Sequence, residues 1–143
     1  MSHISTVKTA ITDLDALEQA CKELGLELRR EQKTYRTYNK QQNACDAAIV
    51  IPGDERAYEI GLVLGKDGKT YEVNFDSWNG GKGMVERSGK GCSKIMVEYG
   101  RAKTKSIAQS KGWSYREERL QDGRIRCYCE PKRKAYAGAG KRW

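Results

Sequence analysis

The residues with the most chemical potential lie in the run Asn79-Gly80-Gly81-Lys82-Gly83-Met84-Val85-Glu86-Arg87-Ser88-Gly89-Lys90-Gly91-Cys92, which sets five glycines among three cations. Glycine lets backbone N–H groups converge, and a helix N-terminus adds a partial positive charge. A helical pattern follows, so the loop and helix start, with Lys82, Arg87, Lys90 and Lys94, suit an anion. The loop falls short of a nucleotide-binding P-loop. Five residues, Met84 to Ser88, separate Gly83 from Gly89-Lys90 where four are needed, and Gly91 stands where a Ser or Thr should meet magnesium. Loose anion binding and a plain surface excursion both stay open.

Two other patterns invite chemistry. Cys127-Tyr128-Cys129 offers two thiols, with Cys45 and Cys92 elsewhere. On a strand, side chains two apart stand about 6–7 Å apart, too far for Zn–S bonds of about 2.3 Å to one tetrahedral ion. His3 is the sole histidine, which restricts any Ser-His or Cys-His pair to the N-terminus. No catalytic residue, metal or cofactor is expected. Trp78 borders the basic loop and Trp143 ends a basic tail, so both could stack on nucleic-acid bases.

Charge placement sharpens the anion reading. The net charge of +8 arises unevenly: residues 1–78 hold 10 basic and 13 acidic side chains, 79–111 hold 8 and 2, 112–130 hold 4 and 4, and 131–143 hold 5 and none. The positive excess therefore includes Arg101 and Lys105 on the helix, and Lys132, Arg133, Lys134, Lys141 and Arg142 in the tail. Such asymmetry suggests an acidic partner. No apolar run approaches the roughly 20 residues of a membrane span. Met1 to Thr6 lacks signal-peptide architecture, so a cytoplasmic setting with five free thiols is expected.

These residues need elements to hold them. Alternation predicts a strand over Ile4 to Ile11. Thr12 then caps a helix over 13–24, whose stripe is Leu14, Leu17, Cys21 and Leu24 and whose stop is Gly25. Leu26 to Arg30 opens a strand running on towards Tyr35 and Tyr38, Asn39 to Asn43 reads as a loop, and Ala47 to Ile51 is a buried strand. Gly65-Lys66-Asp67-Gly68-Lys69 joins Tyr58–Leu64 to Thr70–Phe75 as a hairpin. A second helix over 93–111 carries Ile95, Tyr99 and Ile107, and a last hairpin spans Trp113 to Glu130. The expected fold is α+β: a ferredoxin-like antiparallel sheet, both helices on one face, with additional hairpin strands. Residues 1–130 form one domain in this reading, and 131–143 a basic, mobile tail.

Several stretches resemble a known family. Met1 to Thr9, Ile11-Thr12-Asp13, Leu17 to Gly25, Tyr58-Glu59-Ile60-Gly61, Tyr71-Glu72-Val73, Trp78, Lys94 to Ala108, Gly112 and Asp122 to Arg126 are similar to an uncharacterised family of hypothetical chloroplast reading frames. Its relatives occur in algal plastids, cyanobacteria and tailed phages. The resemblance implies a domain of unknown function, no accepted catalytic residue, and, by gene association, an AAA-type ATPase as partner. The glycine-rich loop departs from that pattern, so anion binding is not part of what the family implies.

The expectation is thus a non-enzymatic binding or adaptor protein of the cytoplasm (the host's, if phage-encoded). It would engage an acidic protein partner through Trp78, Lys82, Arg87, Lys90, Lys94, Arg101 and Lys105. Nucleic acid and a phosphorylated small molecule or nucleotide are the alternatives.

Overall fold

Ala47-Ala48-Ile49-Val50 is apolar at every position, which suits a strand covered on both faces. The computed structural model, which describes residues 4–132, buries all four. The strands are β1 (Ile4–Lys8), β2 (Glu27–Arg29), β3 (Thr34–Arg36), β4 (Gln42–Ala44), β5 (Ala47–Val50), β6 (Ile60–Leu64), β7 (Tyr71–Asp76), β8 (Ser114–Arg119) and β9 (Ile125–Glu130). The helices are α1 (Leu14–Glu23), α2 (Met84–Ser88) and α3 (Ser93–Ser110). The chain divides into two compact units, Met1–Ala102 and a second beginning at Lys103.

In the first unit five antiparallel strands run in the order β1-β7-β6-β5-β2. Helix α1 crosses between the two edge strands, β1 and β2. The expected α+β fold with an antiparallel sheet and two helices is present, and β7, β6 and β5 stand between the two strands that α1 joins. The β6–β7 hairpin turns where expected, because Asp67 Oδ1 accepts the Lys69 and Thr70 N–H groups, each at 2.9 Å. Both long helices contribute to one apolar cluster. Ala16, Leu17, Ala20 and Cys21 of α1 join Ile95, Tyr99 and Ala102 of α3 over the inward residues of the sheet, such as Ile49, Ile60, Leu62 and Val73. The Tyr99 hydroxyl accepts the Thr12 and Asp13 N–H groups at 3.1 and 3.2 Å, tying α3 to the start of α1.

The opposite face of the sheet is covered by the β3–β4 hairpin. Tyr35 packs with Cys45, Ala48 and Val50, and its ring lies so close to Gly61 that any side chain there would run into it. Alternate residues of β5 thus serve two cores, which is why the strand is apolar throughout.

Several expectations are corrected. The first strand ends at Lys8, and Asp13, not Thr12, caps α1, accepting from the Asp15 and Ala16 N–H groups. Residues 39–43, expected as loop, form a tight turn and the start of β4, which needs no apolar pattern because it is an exposed edge. The glycine-rich run, expected as a loop, encloses the short helix α2. Ile107 is 42% exposed. The buried stripe of α3 steps 95, 99, 102, and position 107 falls off that face.

In the second unit, the end of α3 leads to β8 and β9, which pair with each other. The Arg116 guanidinium lies 3.9 Å from the Tyr128 ring centre, and the Tyr115 hydroxyl donates to Glu117 at 2.9 Å. No described helix is long and apolar enough to cross a membrane. His3, Arg133, Lys134, Lys141, Arg142 and Trp143 lie outside the described residues, as does most of the expected mobile tail.

Candidate anion-binding site

Lys82 owes its position to an unusual turn. Asn79, Gly80, Gly81 and Lys82 follow one another with φ of 52°, 64°, 60° and 51°, a left-handed run. Such a conformation brings Cβ against the following carbonyl at about 1–2 kcal/mol per residue. Glycine avoids that cost and Asn tolerates it, so the strain concentrates on Lys82. A second turn repeats the device: Asn39 and Lys40 have φ of 59° and 58°. Asp76, buried at the end of β7, holds both turns together. Its Oδ1 accepts the Trp78 N–H at 2.9 Å and its Oδ2 the Tyr38 N–H at 3.2 Å. The Tyr38 and Trp78 rings meet edge-to-face with centroids 4.8 Å apart.

A third segment, the connection from β5 to β6, is anchored by Arg36. The Arg36 Nε and Nη2 donate to the Ala57 carbonyl at 3.1 and 2.6 Å, and Nη1 lies 3.5 Å from Glu59. Glu59 also accepts the Arg36 backbone N–H at 2.8 Å and Gln32 Nε2 at 3.0 Å. Asp54 accepts the Arg56 and Ala57 N–H groups, which hold its carboxyl below the usual range. The Tyr58 N–H donates to the Gly81 carbonyl at 2.9 Å, joining this segment to the Lys82 turn.

The three segments surround a cavity of about 560 Å³. Arg36, Lys40, Arg56 and Lys82 line it against the single carboxylate of Glu55. Among the described residues only Arg36 of these four has an ion-pair partner. Tyr58 forms part of the wall, with Lys82 Nζ 6.0 Å from its ring centre. Its buried hydroxyl has no hydrogen-bond partner among the described residues, a state that costs free energy.

The other residues expected at the site lie elsewhere. Arg87 and Lys94 line a separate cavity of about 450 Å³ with Asp54 and Glu86, so its charges balance. Both also donate to backbone: Arg87 Nη1 to Gly25 at 3.1 Å and Lys94 Nζ to Glu86 at 2.9 Å. Arg101 pairs with Glu98 at 3.0 Å, both largely buried. Lys90 is exposed on the turn before α3, Lys105 is exposed in the second unit, and Lys132 is exposed after β9. Trp78 is 36% exposed. Sequence reasoning missed Arg36, Lys40, Arg56 and Tyr58, which sit in the half of the chain with net negative charge. The one available signal was Asn39-Lys40, a pair suited to the same left-handed turn as Asn79 to Lys82.

No curated protein and no solved structure matches the chain significantly. A family model described as "Protein of unknown function (DUF1257)" matches residues 20–127. That range takes in all of the cavity's lining and most of the stretches that carried the resemblance, and the chain belongs to this family of proteins of unknown function.

Proposed function

We propose that this protein is a binding protein, not an enzyme, and that it engages an anionic partner through the cavity between the Lys40 turn, the Arg56 segment and the Lys82 turn. The observation that carries this reading is that two lysines are held in left-handed backbone conformation at one cavity, with no carboxylate in ion-pair reach of either among the described residues. Strained backbone of this kind persists where the surrounding structure enforces it, and it concentrates at ligand clamps. Support for binding over catalysis comes from the neighbouring acids. Asp54, Glu59 and Asp76 are each occupied in holding backbone N–H groups.

In this reading the protein works as a small adaptor in the cytoplasm. An AAA-type ATPase, suggested by family association alone, is one source of an acidic surface. The test is binding of the full chain to an acidic polypeptide at low and at roughly half-molar salt, with Lys40→Glu/Arg56→Glu/Lys82→Glu as the variant. Binding should fade with salt and be lost in the variant at unchanged melting temperature. A complex that survives both treatments would place the interface elsewhere, and one formed only with single-stranded DNA or RNA would favour nucleic acid.

A further inference from the structure

We infer that the ligand of this cavity is a phosphate monoester, the terminal phosphate of a small molecule; the inference rests on the anion-binding reading above. Charge selects it first. The Arg36 guanidinium is offset by Glu59 at 3.5 Å, which leaves Lys40, Arg56 and Lys82 against Glu55 among the cavity's lining groups. With Glu59 set against Arg36, the charges of the lining groups sum to +2. A phosphate monoester carries about −1.5 to −2 at neutral pH, whereas a phosphodiester or a single carboxylate carries only −1.

Shape and hydrogen bonding agree with that choice. A volume of about 560 Å³ falls within the roughly 300–1,000 Å³ of small-molecule sites. It suits an end group better than a polymer backbone passing through. The three cations come from three separate segments, so they surround a compact anion instead of tracking a line of charges. Arg56 can offer a planar fork and the lysines point charges, the combination that phosphate oxygens accept.

Calorimetric titration of the full chain tests this with inorganic phosphate, a nucleoside 5′-monophosphate, a phosphoserine peptide, dimethyl phosphate and a tetraglutamate peptide. Inorganic phosphate and the nucleoside monophosphate should bind one to one, about tenfold or more tighter than the diester or the glutamate peptide. The affinity of the nucleoside monophosphate should drop about fourfold between pH 7.5 and 5.5, as the second proton of a phosphate monoester returns near pH 6. Lys40→Gln, Arg56→Gln and Lys82→Gln should each weaken binding about tenfold while circular dichroism stays unchanged. Equal affinity for the diester or the glutamate peptide would overturn the monoester assignment and leave the anion-binding reading standing. Tighter binding of the phosphoserine peptide than of the nucleoside monophosphate would overturn the small-molecule part. If no anion binds, the acidic polypeptide included, both readings fall.

Discussion

Arg36 and Glu59 cancel one another at the edge of the basic cavity, guanidinium and carboxylate 3.5 Å apart and both largely buried. The pair does structural work on both sides: Arg36 holds the Ala57 carbonyl, and Glu59 holds the Arg36 N–H and Gln32. It also sets the local charge. Paired with Glu59, Arg36 builds the wall without adding to the field that a ligand meets.

Replacing Glu59 should therefore separate stability from binding. Glu59→Gln keeps an acceptor but removes the compensating charge, and breaking a buried pair costs about 3 kcal/mol. Melting should fall, while anion affinity rises because Arg36 joins the uncompensated cations. An affinity that drops in proportion to stability would show that the pair holds the cavity's shape and has no electrostatic role.

Gly61→Ala tests the second core. The added methyl would collide with the Tyr35 ring, and β6 and β3 would have to part. Overpacking of this kind costs about 2–3 kcal/mol. Chemical denaturation should show that loss, and Tyr35→Ala in the same chain should relieve part of the clash. An additive double mutant would mean that the two residues do not press on each other.

The scaffold was more legible than the site. Leu17, Ile95 and Tyr99 stand where their helical spacing put them, and Ala47 to Val50 is buried as an unbroken apolar run should be. The positive excess of 79–111 was equally visible, but charge counted along the chain says little about charge gathered in space. Lys40 and Arg56 lie in an acidic half and meet Lys82 only because Asp76 and Arg36 bring their turns together. Arg87, Lys94 and Arg101 looked available in sequence and are engaged by Gly25, Glu86 and Glu98. Those pairings depend on tertiary contacts and on i,i+3 geometry that a charge tally does not weigh.

The buried thiols predict a loss of stability in alkali. Burial pushes the Cys21 and Cys92 thiols up from the ordinary 9.0 to about 12, with Glu18 adding to the effect at Cys21. Above pH 9 the unfolded chain gives up these protons while the folded chain retains them, so the unfolded state is favoured as pH rises. The contribution is whole below pH 9 and declines on the way to about 12. Cys21→Ala/Cys92→Ala should flatten that decline in a melting-versus-pH series. Alkylation at neutral pH should reach Cys127 and Cys129, which are half-buried, before these two. Modification of Cys21 or Cys92 in the native protein at the same rate as Cys127 would contradict their burial.

Lys82→Gly is the variant that most directly opposes stability and function. Lys82 sits at φ 51° after three other left-handed residues, a conformation glycine enters freely. Relief of about 1–2 kcal/mol of strain is offset by about 0.5–1 kcal/mol of extra freedom in the unfolded chain. Loss of the distant contact with the Tyr58 ring removes about 0.5 kcal/mol more. The net effect should lie between about 0.5 kcal/mol destabilising and about 1 kcal/mol stabilising. Anion binding should nonetheless weaken about tenfold, since one of three uncompensated cations is gone. Lys82→Val, with a branched side chain in the same backbone, should instead lower stability by more than 1 kcal/mol. If Lys82→Gly melts well below the wild type, the lysine side chain holds its turn in place, and the strain at this position would need a structural explanation in place of a ligand.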